Sequence, residues 1–142
     1  MSKYRVRLVA TVGSILSMAV VSIVAHHAFT AEFDADQPLK LEGTVTKTEW
    51  INPHKWIHLE VTKPDKSKEE WAIEAGTPNA LMRRGLSRDT LKPGTAVVVT
   101  GYRAKDGSNR ANGRDVTYPD GRQVFIGSSG ANTPYENPDK DK

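Results

Sequence analysis

Between Leu39 and Ile126 the chain breaks into short extended stretches separated by turn residues, and a helix signal interrupts them only once. Leu39–Trp50 is rich in Thr and Val and reads as a long strand, with Gly43 marking a bulge or bend. Ile51-Asn52-Pro53-His54 is a turn, because Pro fixes φ and Asn favours turn starts. Lys55–Thr62 alternates cleanly, placing Ile57, Leu59 and Val61 on one face and Trp56, His58 and Glu60 on the other. After a polar loop, Glu69–Ala75 is a third strand whose core face carries Trp71, Ile73 and Ala75.

The helix signal follows directly. Thr77 is placed to cap, Pro78 suits the first helical position and Gly85 stops the helix. Ala80, Leu81 and Met82 are its expected apolar contacts, and Arg83-Arg84 its solvated end. A short turn over Ser87–Leu91 leads to Lys92-Pro93-Gly94, then to strands over Thr95–Arg103, Ala111–Tyr118 and Arg122–Ile126. Three strands, a helix and two or three more strands predict a mainly β chain. The arrangement that fits is a small five- to six-stranded antiparallel OB-like barrel, with one short helix between strands 3 and 4. A small β-sandwich is the alternative, and the helix placement favours the barrel.

The ends read differently. Lys3, Arg5 and Arg7 precede an uncharged run from Leu8 to Ala25, the pattern of a secretory signal peptide. Cleavage is expected after Ala25, with Ile23 at position −3; a cut after Ala28 or Ala31 would put His26 or Phe29 there. The run is also near the lower length for a membrane span, so a retained anchor is the alternative. The expected organisation is a signal over 1–25, a polar lead-in over 26–38 whose Phe29 and Phe33 dock on the domain, a barrel over 39–126 and a disordered tail over 127–142. Of 20 Lys and Arg, three leave with the signal, so 17 remain against 17 Asp and Glu. A near-neutral exported chain has no electrostatic footprint for nucleic acid. The chain contains no Cys, which excludes disulfides, thiol catalysis and a lipidated N-terminal cysteine.

Five segments together carry a family resemblance: His26-His27-Ala28-Phe29, Glu49–Trp56 (EWINPHKW), Gly76–Gly85 (GTPNALMRRG), Leu91–Gly94 (LKPG) and Gly101–Gly107 (GYRAKDG). In this order they resemble the DUF6152 family of small exported bacterial proteins of unknown function. The resemblance spans most of the chain after the signal. It implies export and a small β-rich domain, and brings no site residue with it.

The reactive side chains concentrate in one region. All four histidines lie between positions 26 and 58, with Trp50 and Trp56 among them. If Ile57, Leu59 and Val61 fill the barrel, Trp56, His58 and Glu60 point outward, and so does His54 when the alternation is extended through the turn. Antiparallel pairing sets His58 or Glu60 across from Ala72 or Glu74. Trp50, His54, Trp56, His58, Glu60 and Glu74 are thus the candidate ligand-binding residues, on the face that OB barrels commonly use. Trp50 and Trp56 either stack on a ligand or partner, or pack on one another across the hairpin. Glu60 and Glu74 are also the nearest thing to an acid/base pair.

A metal reading uses the same histidines. An N-terminal His26 chelates through its α-amino and ring nitrogens, and His27, His54 or His58 would complete a site for copper or zinc. Against it, His54 and His58 would stand about 13 Å apart on an extended strand and so cannot share an ion without a bend. The bland readings are a turn-bonded His54 and a lead-in carrying His26-His27.

No nucleophile elbow, phosphate loop or His-Glu-x-x-His is present, so a non-enzymatic role is expected. Three readings follow. The first is a periplasmic binding or accessory module using the outer face of strands 2 and 3 for a small ligand. The second is a copper- or zinc-binding protein, and the third a structural protein docking an envelope partner through exposed Trp. A monomer free of the membrane after cleavage, without nucleic acid, is expected in each.

Overall fold

Alternation fixes which way each strand turns its side chains, and the computed structural model, which describes residues 28–128 and 133–134, follows it closely. The signal segment, His26 and His27 lie outside the described residues, as do 129–132 and 135–142 of the tail. The elements run α1 (Ala28–Glu32), β1 (Phe33–Trp50), β2 (Lys55–Thr62), β3 (Lys68–Ala75), α2 (Pro78–Arg83), β4 (Ala96–Ala104), β5 (Arg110–Thr117) and β6 (Gln123–Phe125). The chain is mainly β, with six strands and little helix. Among the described residues no helix is long and apolar enough to cross a membrane.

The six strands lie in the order β3-β2-β1-β4-β5-β6, with β3 also pairing to β5. Neighbours are antiparallel except β3 and β5, which are parallel. Each of β1 to β5 therefore has a paired strand on both edges. β1 serves two partners in succession: residues 38–44 pair with β4 and residues 44–50 with β2.

That change of partner explains Gly43. A Cβ there would lie 2.6 Å from the Glu60 carbonyl oxygen, so only glycine lets β2 approach so closely. The bulge itself falls just beyond, where the register slips between Val45 and Lys47.

Inside sits one main core, with Ile57, Leu59, Ile73, Leu81, Leu86, Leu91, Val99, Val116 and Ile126 fully buried. Each such aliphatic side chain stabilises the fold by about 1.5–3 kcal/mol relative to exposure. α2 is short but well terminated. Thr77 Oγ1 accepts from the Ala80 N–H at 3.3 Å, and Gly85 takes a φ of 84° so that the Leu86 N–H reaches the Leu81 carbonyl at 2.9 Å. Both leucines are buried as a result.

Four expectations need correction. β1 begins at Phe33 rather than Leu39, because Phe33 pairs with Ala104 and packs with Phe29 and Tyr102 in a small second cluster. The lead-in is thus part of the fold, and both phenylalanines are docked as expected. Met82 is 54% exposed, since three consecutive helical residues spread over about 200° of the circumference and cannot all face the core. Arg84 is no solvated end: its Nη1 donates to the carbonyls of Gly127, at 3.0 Å, and Phe125, at 3.5 Å, and its guanidinium stacks 4.8 Å from the Phe125 ring. Gly127, expected in the tail, is buried.

Candidate functional site

Cross-strand partners share a face of a sheet, so the register alone decides which candidates meet. Trp56 stands opposite Glu49 on β1 and opposite Glu74 on β3. His58 stands between Lys47 and Ala72, and Glu60 between Thr44 and Glu70. These side chains form the outer face of β1–β2–β3, as the alternation in β2 predicts.

Two imidazole–carboxylate pairs frame Trp56. His54, just before β2, brings Nδ1 to 3.4 Å from Glu74 Oε1, and His58 brings Nε2 to 3.3 Å from Glu49 Oε1. Neither contact is aligned as a hydrogen bond, and both imidazole nitrogens are buried without a hydrogen-bonding partner. Glu49 is also held by Lys47 Nζ at 2.6 Å. That hydrogen bond, with a smaller contribution from His58, sets its carboxyl below the ordinary range. Glu74 goes the other way. Burial raises it, and His54 only partly opposes the rise; Glu32 adds to it and Arg110 counters to a smaller extent. Burial of a carboxylate without a full counter-charge has this effect.

The remaining candidates separate. Glu60 lies at the far end of the face in a pair with Lys68 at 2.7 Å. His54 and His58 reach opposite neighbours of β2, one on β3 and one on β1, so they do not converge. Among the described residues no group of three or more His, Asp or Glu could hold a metal ion. The metal expectation for His26 and His27 lies outside the described residues.

Trp50 is not on this face. Its partner is Lys55, which shares the buried phase of Ile57 and Leu59, whereas Trp56 shares the outer phase. The two tryptophans therefore do not pack on one another. Instead Lys55 Nζ sits 3.3 Å from the centre of the Trp50 ring, and the Arg88 guanidinium approaches the same ring at 5.9 Å.

Lys55 is 0% exposed, and its Nζ has no hydrogen-bond partner. Burial, with a lesser push from Arg88, lowers its ammonium from 10.5 to about 7. Sequence reasoning missed both Lys55 and Glu49. Lys55 was detectable, because it occupies the inward phase two residues before Ile57. Glu49 was hidden by the bulge, which breaks the phase of β1 ahead of it.

A separate groove of about 710 Å³ runs over β1, β4 and β5, lined by Leu39, Lys40, Tyr102 and Arg114 among others, and includes none of these residues. In comparison with known proteins, a family of unknown function, DUF6152, matches residues 13–113. No curated protein and no solved structure matches the chain.

Proposed function

Because the chain belongs to the DUF6152 family, whose function is unknown and which brings no activity with it, we propose from geometry that it is an exported, non-enzymatic binding module of the periplasm. Its ligand face is the outer surface of β1–β2–β3 centred on Trp56. The ring of pairings β1-β2-β3-β5-β4 is read as an OB-like barrel, an architecture that commonly presents ligands with this face. The observation that carries the reading is the partly exposed indole of Trp56 set between two carboxylates, each in turn beside an imidazole. An aromatic plate with polar groups converging on its edges suits recognition of a small ligand.

The test is an NMR screen of a mixed library of small sugars, amines and acids, read on the assigned backbone and indole resonances. Hits that map to Trp56, His58 and Glu74 and vanish in Trp56→Leu are expected; hits that map to another surface would refute the reading. Export is tested by the intact mass of protein recovered from the periplasm, which is expected to begin at His26. Recovery of the protein from the cytoplasm with residues 1–25 intact refutes it.

A further inference from the structure

The structure points to a class of ligand for this face. We propose that the Trp56 face binds a small alkylammonium ion, with the cation over the indole and its charge shared by Glu74 and Glu49. This rests on the binding-face reading above.

The first argument is the charge of the face. In register on β1 to β3 it carries four glutamates, Glu49, Glu60, Glu70 and Glu74, against Lys47 and Lys68. Both lysines are already engaged, Lys47 with Glu49 and Lys68 with Glu60. Glu70 accepts from Thr46 Oγ1 at 3.0 Å. Arg110, which also acts on Glu74, is spread between Glu32 and Asp106, at 3.5 Å from each. Glu74 is left as a carboxylate only 13% exposed whose close partner is an imidazole out of hydrogen-bond alignment. Burial raises that carboxyl, and the opposing pull of His54 and Arg110 offsets the rise only in part.

The second argument is the placement of the ring. Directly opposed residues in antiparallel strands hold their Cβ atoms about 4.5–5.5 Å apart, so Glu49 and Glu74 border the indole on both sides. The face of an indole attracts cations, and most strongly those that shed water easily. Flanking carboxylates add charge without demanding the oxygen cage of a hard metal ion, which this face does not supply. A neutral sugar would also use the ring, but it gains nothing from the charge of Glu74, whose close partner is an imidazole rather than a full cation.

Tetramethylammonium chloride titrated at constant ionic strength tests the inference, with the Trp56 indole N–H followed by NMR. A saturable shift confined to Trp56 and its neighbours is expected. Neopentyl alcohol, which has the same branched core with one added hydroxyl and no charge, should bind at least about fivefold more weakly. Glu74→Gln, which keeps the shape of the site, should weaken the cation about tenfold, and Trp56→Leu should abolish the response. Equal binding of the neutral alcohol, undiminished binding by Glu74→Gln, or no response to the cation would each overturn the inference. If library hits still map to Trp56 in any of those cases, the binding-face reading survives; if they map elsewhere, that reading fails on its own.

Discussion

Lys55→Met should make the protein more stable, by an amount set by pH. In the wild type the ammonium is fully buried over Trp50 with no hydrogen-bond acceptor. Lowering it from 10.5 to about 7 corresponds to about 5 kcal/mol of opposition to folding when the group is charged in both states. The cation–ring contact, worth about 1–2 kcal/mol, returns part of this, so about 3–4 kcal/mol is the expected gain. Methionine keeps the length and volume of the stem and needs no partner.

Between about 7 and 10.5 the unfolded chain holds a proton on Lys55 that the folded chain does not, so wild-type stability gains from this group as pH rises. Below about 7 the cost is present in full. The variant lacks that slope of about 1.4 kcal/mol per pH unit. Urea titrations near pH 6 and near pH 9, followed by tryptophan fluorescence, would show the advantage of the variant large at the lower pH and mostly lost at the higher. A variant no more stable than wild type near pH 6, or one with the same pH dependence, would show that the ammonium reaches solvent or a counter-charge, and the account of the turn would be wrong.

Two further substitutions probe the frame around the site. Gly43→Ala places a methyl group against the Glu60 carbonyl and should destabilise by about 1–3 kcal/mol, read as a lower urea midpoint; an unchanged midpoint would mean β1 and β2 separate freely there. Arg84→Ala removes the donor to the Phe125 and Gly127 carbonyls and should cost about 1–2 kcal/mol. Hydrogen exchange should quicken first in β6, and uniform quickening through β1–β3 would count against a local role.

Much of the frame is legible in the sequence because it is written in local rules. The two-residue period of β2 and β3 set Ile57, Leu59, Trp71 and Ile73 inward and Trp56, His58 and Glu60 outward, although it left Lys55 unread and the partners of His58 and Glu60 open. The helix ends were equally plain, since Thr77, Pro78 and Gly85 each satisfy a backbone requirement that few other residues meet. What stayed hidden depends on partners distant in the chain. That Glu49 rather than Glu60 meets His58 follows from a register set across the bulge. Phe33 joins β1 only because Ala104, far along the sequence, offers it an edge. Arg84 looks like a solvated helix end until the strand after β5 returns to place carbonyls beside it. Trp50 and Trp56 look equivalent in composition, and only the phase of the hairpin puts them on opposite faces, one beside Lys55 and the other between Glu49 and Glu74.

The face from Glu49 to Glu74 is one uninterrupted stretch of chain, β1's end through β3, whereas the ring is closed by residues outside it. Ala72, Ile73 and Glu74 meet Arg110, Ala111 and Asn112 through backbone pairing, which tolerates changes in the outward side chains. The outer face and the strands that pair with β3 on its far edge thus come from separable parts of the sequence. Substitutions at Trp56, His58 or Glu74 would therefore change the chemistry of this face while the β3–β5 backbone pairing persists.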